Sequence, residues 1–362
     1  MSKKYHIQTI AANYLKNLMD EPETLNVHPR FLFGLEKEEF ITGFKALHSL
    51  IQKLYTDIGD NPATFNMMLK ESDDADAKNA DYTNSNASFL RVPNLLIIVG
   101  VFSRLEADLN LVIDGGILVT EAKVLKITGI PGLLTKLKDY GFEISDFGKI
   151  PKAGEVLCVS YPDNRFMLVA LKAMSEALLE VSNGNLKNYC NAYFFKMHPG
   201  LLENEVVKEP QLTIDHIYHV LDPVRRLYAK MFHETVSDIA KYKIRMGGIM
   251  RNDWSAIYTN KKTKRVLMSL QVNQDSFGIK LNLQNIGKYI NLVAEMPEQI
   301  INAVCNNGWD CGNCNPRCSG GFAFEFAGTA HNKCHCGAFV FHNLTDETAE
   351  NCRRLLLEEI GM

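Results

Sequence analysis

The apolar positions of the chain change their period several times, and each change marks a predicted element. In the first 70 residues Ile10, Leu15 and Leu18 suggest one helical stripe. Phe40, Phe44, Leu47, Ile51 and Leu54 set a clearer one. Recurrence at three- and four-residue intervals puts these side chains on one helix face, so they are read as core. The run from Glu71 to Asn86 is polar and acidic with no period. It predicts a linker over 71–88, after a helical N-terminal region over 1–70.

Residues 89–162 predict a winged-helix-like domain. Pro93 is placed to start a helix through Leu96, Val99 and Leu105, and Gly115–Val119 reads as a short strand. Thr120 caps a brief helix, and Gly132 to Tyr140 forms another, with Leu133, Leu134 and Leu137 inward and Gly141 ending it. Phe142 to Phe147 and Glu155 to Tyr161 then make a hairpin. Residues 163–240 predict a helical connector in which Asp222-Pro223 opens one helix.

From residue 241 the period falls to two. Tyr242–Met246, Trp254–Thr259, Arg265–Val272 and Gly278–Leu283 read as strands, with a turn at Asn260–Lys264. Helices over Asn285–Met296 and Pro297–Cys305 follow, then a hairpin from Gly321, a Phe339-Val-Phe341 strand and a final helix near Thr345 to Glu359. The expected fold class is a multidomain α+β protein: a helical N-terminal region, a winged-helix-like middle, and a C-terminal antiparallel sheet with helices and a cysteine-rich, metal-tied hairpin over 241–362.

Composition adds bounds. The 362 residues are 46% hydrophobic and 22% charged with a net charge of −3, ordinary for a globular protein of two or three domains. The first residues lack an apolar leader and no stretch reads as a membrane span, so a cytoplasmic protein is expected. Nine cysteines, an odd number, fit a reducing compartment in which clustered thiols bind metal more often than they pair.

Charge is uneven. In the winged-helix-like region Arg104, Lys123, Lys126, Lys136, Lys138, Lys149 and Lys152 face eight carboxylates, which is no electrostatic footprint for DNA. Only Lys136, Lys138, Lys149 and Lys152 sit where contacts to a duplex are expected, and packing against protein explains the region equally. The segment 241–282 differs. Lys241, Lys243, Arg245, Arg251, Lys261, Lys262, Lys264, Arg265 and Lys280 face only Asp253 and Asp275. With Tyr242, Trp254, Tyr258 and Phe277 among them, the segment suits a nucleic acid, a nucleotide or an acidic protein, and Lys261, Lys262, Lys264 and Arg265 are its densest cluster. Cations that keep strand edges from aggregating account for the same pattern. A second function class uses Trp254, Tyr258 and Phe277 to line a small-molecule pocket in a sensor or enzyme. His216 and His219, with His233-Glu234, lack a matching carboxylate motif and read as solvated. No phosphate loop, dinucleotide fingerprint, zinc-protease motif or nucleophile elbow is present, so no reaction is selected.

The most distinctive chemistry is Cys311-Gly-Asn-Cys314-Asn-Pro-Arg-Cys318, followed by Lys333-Cys334-His-Cys336. Gly312, Asn313, Asn315 and Pro316 favour tight turns that let sulfurs converge, and the hairpin returns further thiols. Cys311, Cys314, Cys318 and Cys334 are the expected ligands of one structural zinc, with an iron–sulfur cluster as the alternative. Cys336, His331 and His335 are alternatives for the fourth position. Ordinary reduced cysteines are the reading without metal.

This tail resembles an uncharacterised bacterial family in which a C-x2-C-x3-C knuckle precedes a hairpin with a Lys-Cys pair, a Phe-x-Phe strand and a short terminal helix. The likeness continues through Leu281–Tyr289 and Met296–Ile300, and around Asp139–Phe142 and Ser160–Asn164. It implies a shared architecture and no particular activity. Cys336 departs from the family pattern, so the fourth ligand stays open.

Overall fold

The computed structural model describes residues 6–67, 75–145, 148–273, 276–306, 308–312, 320–334 and 339–361, with the backbone alone for 75–82. The chain divides into two compact units, Met1–Gln211 and Leu212–Met362. Both mix helices with antiparallel strands. The division falls inside the expected connector over 163–240. Leu201 and Leu202 are buried in the first unit, whereas Ile214 and Ile217 already belong to the core of the second.

In the first unit α1 (His6–Asn17), α2 (Lys37–Asp60) and α3 (Ala75–Phe102) come first. The stripe Phe40, Phe44, Leu47, Ile51 and Leu54 is fully buried on α2. The expected linker is helical from Ala75 onward. Ala75, Ala77, Ala80 and Ala87 are strong helix formers, and the polar stretch simply extends the helix whose far half is core. Its segment Thr83–Phe102 is long and apolar enough to cross a membrane, which corrects the expectation that no stretch is. That segment packs in this unit's core, with Phe89 and Leu95 to Ile98 fully buried.

The strands β1 (Arg104–Leu105) and β2 (Leu111–Asp114), the helices α4 (Gly115–Val124) and α5 (Ile130–Lys138), and the strands β3 (Glu143–Ile144) and β4 (Val156–Ser160) follow. They form an antiparallel sheet in the order β1-β2-β4-β3. The strand expected at Gly115–Val119 lies four residues earlier. Asp114 explains the shift, because its Oδ1 accepts the N–H groups of Gly116 (2.8 Å) and Ile117 (3.1 Å) and so starts a helix there. Its Oδ2 accepts Gly154 N–H at 2.7 Å, tying the hairpin turn to α4. A Cβ at Gly115 would stand 2.7 Å from Lys152 O, so this contact requires glycine.

The helix α6 (Phe166–Val181) runs through the middle of this unit, followed by α7 (Asn191–Phe195). Every residue from Met167 to Ser175 is buried, Lys172 included. The Lys172 ammonium donates to Ser103 O at 2.7 Å and pairs with Glu176 at 2.7 Å, closing the C-terminal end of α3.

The second unit opens with α8 (Ile214–His219) and α9 (Pro223–Val236). Four strands follow in meander: β5 (Ala240–Gly248), β6 (Asp253–Asn260), β7 (Val266–Asn273) and β8 (Ser276–Leu281). Next come α10 (Ile290–Ala294), α11 (Glu298–Cys305), the hairpin β9 (Gly321–Phe326) and β10 (Thr329–Cys334), then β11 (Phe339–His342) and α12 (Asp346–Gly361). The main sheet is antiparallel in the order β11-β8-β7-β6-β5, so β5 is one edge. The expected helix at Asn285–Met296 is a 3-10 turn at Ile286–Lys288 followed by the short α10.

Candidate nucleic-acid interface and cysteine knuckle

Side chains alternate across a sheet, and in the second unit the alternation separates chemistry cleanly. Tyr242, Ile244 and Met246 pair with Tyr258, Ala256 and Trp254, and these with Met268, Leu270 and Val272. Leu281, Ile279 and Phe277 continue the set. This face joins the core with Phe232, Val236 and Leu355 from α9 and α12. Trp254, Tyr258 and Phe277 are 2%, 0% and 3% exposed. They are therefore core side chains, which overturns the expected small-molecule pocket among them. Burial and neighbouring hydroxyls push the Tyr258 phenol well up.

The opposite face carries the charge. Lys241, Lys243 and Arg245 stand on edge strand β5, all exposed. They are spaced about 7 Å apart, as alternate residues of a strand are. Among the described residues none of the three pairs with a carboxylate. One cross-strand row runs Lys243, Ile257, Ser269, Lys280 and Val340, and the next Arg245, Ser255, Gln271, Gly278 and His342. The middle of the face is thus mostly polar, Ile257 excepted, with cations on β5 and at Lys280. A Cβ at Gly278 would lie 2.7 Å from His342 Nδ1, which keeps that position bare. Asp253 is the carboxylate at the far end of this face, beside Arg251, and burial raises its pKa more than Arg251 lowers it.

The cluster favoured by sequence is largely committed elsewhere. Lys261 Nζ donates to Ser237 O (3.2 Å) and Asp238 O (2.8 Å), and Lys264 Nζ to Lys261 O (2.6 Å). Arg265 donates to Asn282 O at 3.1 Å and pairs with Glu359. Only Lys262 of the four projects from the turn without such a side-chain contact among the described residues. The strand register places Lys241, Lys243, Arg245 and Lys280 together on the face opposite the core.

Two of the histidines read as solvated, His216 and His233, are structural. His216 Nδ1 accepts the Thr213 N–H at 3.1 Å in a capping box, and His233 Nδ1 shares a 2.8 Å hydrogen bond with Tyr258. Burial lowers the His233 pKa in spite of Glu234 and Asp215.

Of the expected zinc ligands, Cys314 and Cys318 lie outside the described residues, as do Cys336 and His335. Cys311 and Cys334 are described, and both meet the same glycine. Gly321 is the cross-strand partner of Cys334, and a Cβ on it would stand 2.6 Å from Cys311 Cβ. The strand segment is fixed by Cys311 N–H to Asn332 O (2.9 Å) and Cys334 N–H to Trp309 O (2.8 Å). His331 is an odd number of residues from Cys334 on β10, hence on the other face, and stacks on Phe324 at 5.0 Å. Among the described residues no group of three or more His, Cys, Asp or Glu side chains is placed to hold a metal.

Comparison of the chain with protein-family models, curated proteins and solved structures finds no match.

Proposed function

We propose that the chain is a nucleic-acid-associated regulatory protein whose second unit grips a phosphate backbone on the face of its five-stranded sheet opposite the core. The observation that carries this reading is the row of exposed cations Lys241, Lys243 and Arg245 on one face of β5, with Thr259, Ile257 and Ser255 beside them on β6 and the core on the other side. Such a face attracts polyanions without selecting their sequence, because phosphate contacts are electrostatic and salt-dependent. Residues 89–162 act as a winged-helix-like module. The order helix, strand, helix, helix, hairpin and the neighbouring strands β2-β4-β3 support this. The balanced charge of that module favours a role in packing against protein over DNA binding.

The knuckle serves as a structural zinc site of Cys311, Cys314, Cys318 and Cys334 in a cytoplasmic, reducing setting. The spacing of the thiols and the meeting of Cys311 and Cys334 at Gly321 support it. Four thiolates leave no open position, so the metal would order the tail and take no part in a reaction.

Electrophoretic shifts with random single strands and duplexes across a salt series test the reading. Binding at low salt that weakens steeply with added salt is the expected result. Absence of any shift at low salt would sink it.

A further inference from the structure

Period-two alternation leaves the basic face without strand aromatics, yet one aromatic reaches its rim from outside the sheet. Trp309 is 67% exposed, and Lys280 Nζ lies 5.8 Å from its ring centroid. An exposed indole on a mobile loop would mean little. Trp309 is instead held from both sides. Lys333, 2% exposed, donates its ammonium to Gly308 O at 3.0 Å and to Asp310 Oδ1 at 2.9 Å. Asp310 pairs with Lys333 as an isolated antiparallel bridge, and Trp309 O accepts the Cys334 N–H. Gly308 is packed so closely on the Phe339 ring that a Cβ there would lie 3.0 Å from it. A buried lysine therefore fixes the backbone on either side of the indole while the ring itself remains in water. The exposed Asp310 carboxylate has its charge answered by Lys333, which holds it below the usual carboxylate range.

We infer that Trp309 is a base-stacking platform, and that the basic face takes single-stranded nucleic acid, with the backbone on Lys241, Lys243, Arg245 and Lys280 and a base on the indole. This rests on the basic-face reading above and narrows its ligand. The geometry is that of a trough. From β5 to β8 is about 14 Å, three strand spacings, floored by Ser255, Ile257, Ser269, Gln271 and Gly278 and ending at Lys280 beside Trp309. That combination of a cationic groove and a rigid exposed aromatic is what binds single strands without regard to sequence, since every base offers a π-face. A duplex keeps its bases stacked on one another and offers the indole nothing.

The protein supplies its own reporter. Its only other tryptophan, Trp254, is 2% exposed in the core, so changes in emission on ligand binding report on Trp309. Full-length protein is titrated with a thymidine 20-mer, with a duplex of the same length and with heparin, following both emission and bound fraction. The expected result is quenching by the 20-mer alone, about tenfold weaker 20-mer binding in Trp309→Ala, near-normal binding in Trp309→Phe, and unchanged heparin binding in both. Binding of the 20-mer with unchanged emission, and with Trp309→Ala equal to wild type, overturns the stacking role and leaves the basic face standing. No binding of any of the three polyanions at low salt overturns both.

Discussion

Tyr289 donates its hydroxyl to Glu359 Oε2 across 2.8 Å, joining the turn before α10 to the last turn of α12. Glu359 is 4% exposed and accepts three further hydrogen bonds, from Asn285 N–H (2.9 Å), Asn285 Nδ2 (3.0 Å) and the Arg265 guanidinium. A buried carboxylate is tolerable only with partners of this number. Arg265, expected from sequence to meet an external anion, is held by an internal one.

Glu359→Ala is expected to destabilise the second unit by about 3 kcal/mol, because it leaves Arg265, Asn285 and Tyr289 without their acceptor. Tyr289→Phe removes a single hydrogen bond to a charged group and should cost about 1.5 kcal/mol. Urea unfolding of both variants checks the ordering. Equal losses would mean that the hydroxyl alone matters.

Replacing Lys241, Lys243 and Arg245 together should lower the log–log salt slope of single-strand binding by about 2, each cation being worth about 0.7. Lys262→Ala, a cation of the turn, should leave the slope within error. A larger effect of Lys262 than of the β5 cations would return the interface to the turn.

Protein purified without added metal should contain about one zinc per chain, measured by elemental analysis. Chelation should expose the thiols of Cys311, Cys314, Cys318 and Cys334 to reagent and speed proteolysis within 305–362. Metal-free protein with a protease-resistant tail would remove the knuckle from the account.

Lys196 tests the first unit. It is 2% exposed, and burial pushes its pKa down to about 7 from the ordinary lysine range. The unfolded chain then binds the proton more tightly than the folded one between pH 7 and about 10.5, so stability should rise with pH across that window. The slope is roughly 1.4 kcal/mol per pH unit. Lys196→Met should flatten it. A wild-type curve without slope would show that the site is open to water.

Much of the second unit could be read from residue order, because alternation over Tyr242–Met246 and Trp254–Thr259 leaves few choices of element. Strand ends moved by only a residue or two. Which cations share a face depends on pairing partners far along the chain, whereas local density singles out the Lys261–Arg265 turn. The early helix α3 was hidden for another reason: the sequence of its first half is polar and alanine-rich, with no stripe to detect. At Asp114 a capping carboxylate, a local signal present in the sequence, outweighed the strand propensity of the apolar residues after it. Trp309 had no signal at all, since its exposure depends on a lysine 24 residues later.

The edge position of β5 has a consequence for the molecule's company. Nine residues of strand end there with one row of backbone donors and acceptors unmatched by a further strand of the sheet. An open edge invites a second copy to zip on, and lysines are a common deterrent. Lys241, Lys243 and Arg245 therefore repel identical chains with the same charge that would draw a polyanion, and a bound polyanion would neutralise that repulsion. Occupied protein should be more prone to self-association than empty protein, unless the ligand itself covers the strand.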